Sequence, residues 1–151
     1  MINFIGIEEQ KLILGNKIQE RIQKVVSHGK FILGPEVIEL EEKLASYVGS
    51  NHCISCSSGT DALLMSLMAS GISKNDAVIT SPFSYIATAE VIELLGAKVY
   101  FCDINDQTFN LDCSNLDSIV KQISDDGLNL KALISVDIFG LPARYRVLEK
   151  F

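Results

Sequence analysis

The sequence predicts an α/β fold in which a largely parallel sheet is covered by helices on both faces. Three observations predict it. From residue 52 onward, short apolar runs of strand length alternate with stretches of helical periodicity. Those runs carry little period-two patterning, which is how strands buried on both faces read. The first of them passes directly into a helix through Ser57-Ser58-Gly59-Thr60-Asp61-Ala62-Leu63.

Two helices precede the sheet. Residues 8–28 carry the stripe Ile18, Ile22, Val25 and Val26, with Gly29 as a stop. Lys30-Phe31-Ile32-Leu33 is an extended connection, and Gly34-Pro35 opens the next helix, where a proline's missing N–H costs nothing. Val37, Leu40, Leu44, Tyr47 and Val48 form its expected buried face, Glu39 and Lys43 its i,i+4 pair, and Gly49 its end. These helices are expected to dock outside the sheet or on a partner subunit. Strands are then expected at 52–56, 77–80, 98–102 and 131–136. Helices are expected from Leu63 to Gly71, from Ser84 to Leu95 and, behind a Ser114–Asp117 capping box, through Ile123. A first helical turn or two is expected at Ala143–Lys150.

Composition narrows the function classes. In 151 residues, 48% apolar and 21% charged content describe a globular interior, and a formal net charge of −6 with no Lys/Arg cluster argues against a nucleic-acid surface. No apolar run reaches the roughly 18–20 residues of a membrane span, and no signal-peptide pattern opens the chain, so a soluble cytoplasmic protein is expected. Cys53 and Cys56 make a CxxC, but on a strand they would face opposite sides. The four cysteines are therefore expected to be buried free thiols in a reducing compartment, and no metal site is expected.

The Ser57–Asp61 turn supports two readings. The first N–H groups of a helix lack internal partners and the dipole makes that end positive, so a glycine flanked by hydroxyls outlines a phosphate cradle. The other reading is a strand-to-helix turn with a Ser/Thr cap. Asp61 would repel a phosphate unless its side chain is turned away. In a parallel sheet, ligands bind beyond the C-terminal strand ends, which brings Ser81–Tyr85, Asp103 and Asp137–Gly140 to the same edge. Tyr85 either lays its ring over a flat ligand or packs under its loop, and Asp103 is expected to satisfy a turn's N–H groups.

Several segments, in order, resemble the DegT/DnrJ/EryC1/StrS family of pyridoxal-phosphate-dependent sugar aminotransferases. They are Phe31–Val37, Ser58–Leu63, Ser81–Ala89, Leu95–Lys98, Asp103-Ile104, Phe109–Asp112 and Phe139–Pro142. The resemblance covers nearly the whole chain, and within the family it is greatest to enzymes that aminate a UDP-linked 3-keto-N-acetylglucosaminuronic acid for O-antigen synthesis. It implies the N-terminal portion of the large domain of the aspartate aminotransferase class (fold type I). Residues 1–50 would be a helical segment and 51–151 the first half of the cofactor-binding domain, truncated at its C-terminus.

The resemblance also assigns roles. Gly59 and Thr60, with Ser58 adjacent, would bind the phosphate of pyridoxal 5'-phosphate, and Tyr85 would stack on its ring. Phe31 would approach the sugar nucleotide. The lysine that anchors the cofactor and the aspartate facing its ring nitrogen would lie beyond Phe151; Lys30 alone is near the right region. Where relatives carry a histidine before Phe-Gly, this chain has Asp137. Glutamate would be the amino donor, a nucleotide-linked keto sugar the acceptor, and a homodimer the assembly, while this chain alone would be inactive. Two alternatives stand beside this reading: a pyridoxamine-phosphate-dependent sugar dehydratase of the same family, and a truncated non-catalytic domain that binds a partner. The helix end is worth ~1 kcal/mol and each good hydrogen bond ~1, so weak occupancy is expected without the covalent anchor.

Overall fold

In the computed structural model of the chain, which describes residues 5–151, the stretch expected as one helix over 8–28 is two, α1 (Ile7–Leu14) and α2 (Lys17–His28). Gly15 separates them with φ 53° and ψ −132°, a conformation that side-chain-bearing residues avoid. The described residues up to Ser55 form one unit and Cys56–Phe151 another.

In the first unit, α3 (Pro35–Val48) starts and stops as expected, with Pro35 in its first turn and Gly49 left-handed at its end. A Cβ on Gly34 would lie 2.3 Å from the Lys30 carbonyl oxygen, so the chain turns there only on glycine. Glu39 accepts from Lys43 at 2.5 Å and from both terminal nitrogens of Arg21 at 2.8 and 3.1 Å, which holds its carboxyl down at about 2. The apolar stripes are another matter. Leu40, Leu44, Tyr47 and Val48 were expected inside and are exposed, as are Ile18, Ile22 and Val26; Ala45 is the buried residue of α3. Three short helices have too little apolar surface of their own to cover one another's stripes.

The strand expected at 52–56 is not formed among the described residues. A strand needs a ladder, and here side chains take the backbone groups instead. The Glu41 carboxylate accepts both the Ser55 N–H and its hydroxyl, each at 2.7 Å, and the Ser50 hydroxyl donates to the His52 carbonyl.

The second unit is built on β1 (Asp76–Thr80), buried along its whole length between β2 (Lys98–Phe101) and β3 (Asn129–Ile134), both parallel to it. Alternate residues of β1 enter different cores. Val78 packs with Leu67 of α4 (Gly59–Ala69), Val91 and Ile92 of α5 (Ala87–Leu94), and Ile72 and Ala97. Ala77 and Ile79 pack with Tyr100, Cys102 and Leu111. Leu116 and Ile123 of α6 (Leu116–Asp125) and Leu148 of α7 (Tyr145–Leu148) complete that core. Each fully buried aliphatic side chain contributes roughly 1.5–3 kcal/mol. The expected doubly covered parallel sheet is therefore present, with three strands.

Local differences have local causes. Helix α5 begins at Ala87, not Ser84, because Ser81-Pro82-Phe83-Ser84 bends first: the Ser81 hydroxyl oxygen accepts the Phe83 N–H at 3.1 Å, and Ser84 and Thr88 share a hydrogen bond. The capping box at Ser114 does not form. Asp112 takes the Ser114 N–H and hydroxyl, making a 3₁₀ turn over Cys113–Asn115 ahead of α6. Strand β3 starts two residues earlier than expected, so Lys131 stands within it.

The cysteines are all free, but Cys56 is exposed while Cys102 is fully buried, with burial pushing its thiol up to about 11. A thiol reagent at neutral pH is expected to label Cys56 within the native protein and Cys102 only at the rate of unfolding, read by peptide mapping over time.

Candidate functional site

Helix α4 leads into the start of β1, so its own N-terminus lies at the C-terminal edge of the sheet, the edge where α/β proteins bind ligands. Ser58 caps it in extended conformation (φ −158°, ψ 165°). Its Oγ accepts the Asp61 N–H at 3.1 Å, and its hydroxyl donates back to Asp61 Oδ2 at 3.0 Å. The Ser57 hydroxyl donates to the same carboxylate oxygen. These hydroxyl bonds, Ser57's first and Ser58's second, hold the Asp61 carboxyl below the usual carboxylate range.

The cap reading holds for Ser57 and Ser58, and the donors the other reading needs remain on the next two residues. Ser57 and Ser58 cap the helix and engage Asp61, so their hydroxyls are not free donors. Gly59 N–H, Thr60 N–H and the Thr60 hydroxyl have no hydrogen-bond partner among the described residues. A Cβ built on Gly59 meets nothing within 4 Å, so the space over these donors is open. Three free donors on a positive helix end suit the oxygens of a phosphate, with Ser58 as the cap that fixes them.

Tyr85 lies just before α5 instead of in its first turn, where its carbonyl accepts the Thr88 N–H at 3.1 Å. Helices α4 and α5 pack on the same face of the sheet, and the β1–α5 loop leaves the same edge on which α4 begins. Its ring is 76% exposed, so packing under its own loop is not its role in this chain. Asp103 does serve a turn, accepting the Ile104 N–H at 2.8 Å. Asp137 takes the Ala143 N–H at 2.8 Å and the Tyr145 hydroxyl at 3.0 Å, which closes the loop after β3. Of the lysines, Lys98 opens β2 at the opposite edge and pairs with Asp126 at 2.9 Å. Lys30 belongs to the first unit, and its N–H donates to His28 Nδ1 at 3.0 Å.

Three aromatic rings meet at this edge. Phe83, Phe109 and Phe139, one from the loop after each strand, come together with ring centroids 5.4–6.2 Å apart. All three stand in motifs quoted above. The signal available was positional, since loops that follow parallel strands converge on one edge.

A parallel sheet covered on both faces, with free N–H donors and an exposed aromatic ring at its C-terminal edge, is the arrangement of an α/β domain. The chain belongs to the DegT/DnrJ/EryC1/StrS aminotransferase family, which matches residues 13–151. It is 46% identical over 140 residues to the UDP-2-acetamido-2-deoxy-3-oxo-D-glucuronate aminotransferase of Pseudomonas aeruginosa, covering 93% of this chain and 37% of that protein. The crystal structure of a DegT DnrJ EryC1 StrS aminotransferase from Brucella abortus superposes with a TM-score of 0.93 at 40% identity, over 99% of this chain and 40% of that one. NtdA from Bacillus subtilis, solved with bound cofactor PMP, gives a TM-score of 0.78 at 27% identity, over 88% of this chain and 29% of that one. This chain therefore spans well under half the length of the relatives it matches. Its fold is that of the pyridoxal-phosphate-dependent aminotransferases.

Proposed function

We propose that the protein takes part in transfer of an amino group from glutamate to a nucleotide-linked keto sugar, and that this chain supplies the phosphate cradle and ring platform for pyridoxal phosphate. The observation that carries the reading is the set of free donors on Gly59 and Thr60 at the same sheet edge as the exposed Tyr85, in a chain of this family. The cofactor, when bound, supplies the electron sink for amino transfer. Ser58 fixes the end of α4, Gly59 and Thr60 hold the phosphate, and Tyr85 covers one face of the ring.

The Pseudomonas aeruginosa relative favours a UDP-linked 3-keto uronic acid as acceptor, and hence a role in O-antigen synthesis in the cytoplasm. Relatives named as sugar aminotransferases favour transfer over dehydration. By the family resemblance no residue of this chain is the anchoring lysine, so residues 1–151 alone are not expected to catalyse transfer. A homodimer of the complete enzyme is the assembly proposed.

The test is an absorbance titration of the purified chain with pyridoxal phosphate, followed by borohydride reduction and peptide mapping. Weak, phosphate-competed binding without a single labelled lysine is expected. Saturable labelling of one lysine would place the anchor inside this chain, and amination of a keto sugar by the chain alone would overturn the division of roles.

A further inference from the structure

We propose that Phe83, Phe109 and Phe139 form a clamp that fixes the β1–α5 loop and so sets the position of the Tyr85 ring, with Phe109 as the positioning residue. The inference rests on the cofactor reading above and adds a device that reading does not contain. Tyr85 is exposed and follows Phe83 by two residues, so the place of Phe83 bears on where the platform stands. The loop is tied at its start by the Phe83 N–H on the Ser81 hydroxyl and at its end by the Ser84–Thr88 hydroxyl bond and the Tyr85 carbonyl, and the Phe83 ring anchors it between them. It meets Phe109 at 5.9 Å and Phe139 at 6.2 Å, and those two meet edge-on at 5.4 Å and 86°. These are the separations and angles at which aromatic pairs attract beyond simple burial.

Phe109 is held in place with unusual care for a ring that is 40% exposed. Its backbone is left-handed at φ 59°, a conformation a bulky residue holds only when its surroundings impose it. The Asn105–Asn110 turn imposes it: the Asn105 carbonyl accepts the Phe109 N–H at 2.8 Å, and its side-chain oxygen takes the N–H groups of Gln107 and Thr108 at 3.1 Å. The buried Asn110 amide then donates to the Leu141 and Pro142 carbonyls at 3.0 and 3.3 Å. That joins the turn to the loop carrying Phe139. The loops after β1, β2 and β3 thus meet at their phenylalanine rings, and the first of them carries Tyr85.

The experiment is a binding series by NMR titration with two probes, pyridoxamine phosphate and inorganic phosphate. The first has a ring for Tyr85 and cannot bond covalently to a lysine; the second needs the cradle alone. Phe109→Leu is expected to weaken pyridoxamine phosphate about three- to tenfold, leave inorganic phosphate within about twofold, and be rescued by Phe109→Tyr. Combined with Tyr85→Ala, it should add nothing to the loss from Tyr85→Ala alone. Phe139→Leu, at a more exposed ring, repeats the test if Phe109→Leu fails to fold. Additive losses, equal losses for both probes, or no loss would overturn the clamp. Failure of the unsubstituted chain to bind pyridoxamine phosphate, or indifference to Tyr85→Ala, would instead overturn the cofactor reading and the clamp with it.

Discussion

Ile79→Ala is expected to lower the stability of the sheet unit by about 2–5 kcal/mol, the range for truncating a large buried aliphatic side chain. Ile79 has no exposed surface and stands on the central strand, between β2 and β3, in the core with Tyr100, Cys102, Leu111, Leu116 and Ile123. Hydrogen-bonded strands on both sides cannot close toward the gap without breaking ladders, so the cavity stays. Leu94→Ala is the control. It removes a similar side chain from α5, but that side chain is 72% exposed, and a change within about 0.5 kcal/mol is expected. Urea unfolding followed by circular dichroism measures both. Equal effects would mean that β1 is not the centre of the core.

Much of this arrangement was legible in the sequence, and the parts that were not share a cause. Ala77-Val78-Ile79 writes the burial of β1 in consecutive apolar residues, because both faces of a central strand must be covered, and Leu67, Val91 and Ile92 of α4 and α5 cover one of them. The turn at Ser58 was legible as a cap, since capping depends on the free N–H groups of a helix start. What could not be read were outcomes decided by partners distant in sequence. His52–Cys56 has the composition of a strand, yet its Ser55 is claimed by Glu41. Leu40 and Leu44 have the spacing of a buried face, but periodicity states which side is apolar and not whether anything covers it. Gly15 ends α1 inside a longer apolar pattern that masks it. The phenylalanine cluster depends on where three loops end, which only the register of β2, β1 and β3 determines.

Gly59→Pro separates the two roles of the cradle within one variant. Gly59 is the first residue of α4, the position where proline is most at home, because its fixed φ is helical and the N–H it lacks has no partner in the helix. The residue before a proline must be extended, and Ser58 already is. Nothing lies within 4 Å of the position a Cβ would take. The fold is therefore expected to hold, with stability unchanged to within about 0.5 kcal/mol. The cradle is expected to lose one of its N–H donors. A hydrogen bond to a charged oxygen is worth about 1.5–3 kcal/mol, so affinity for pyridoxamine phosphate should fall roughly ten- to a hundredfold. Inorganic phosphate should lose as much, because the lost donor faces the group the two probes share. That pattern is the opposite of the one expected from Phe109→Leu, which spares inorganic phosphate. If the proline variant folds and binds both probes unchanged, the anion does not sit on α4. A loss confined to pyridoxamine phosphate would mean that Gly59 faces the ring and not the phosphate.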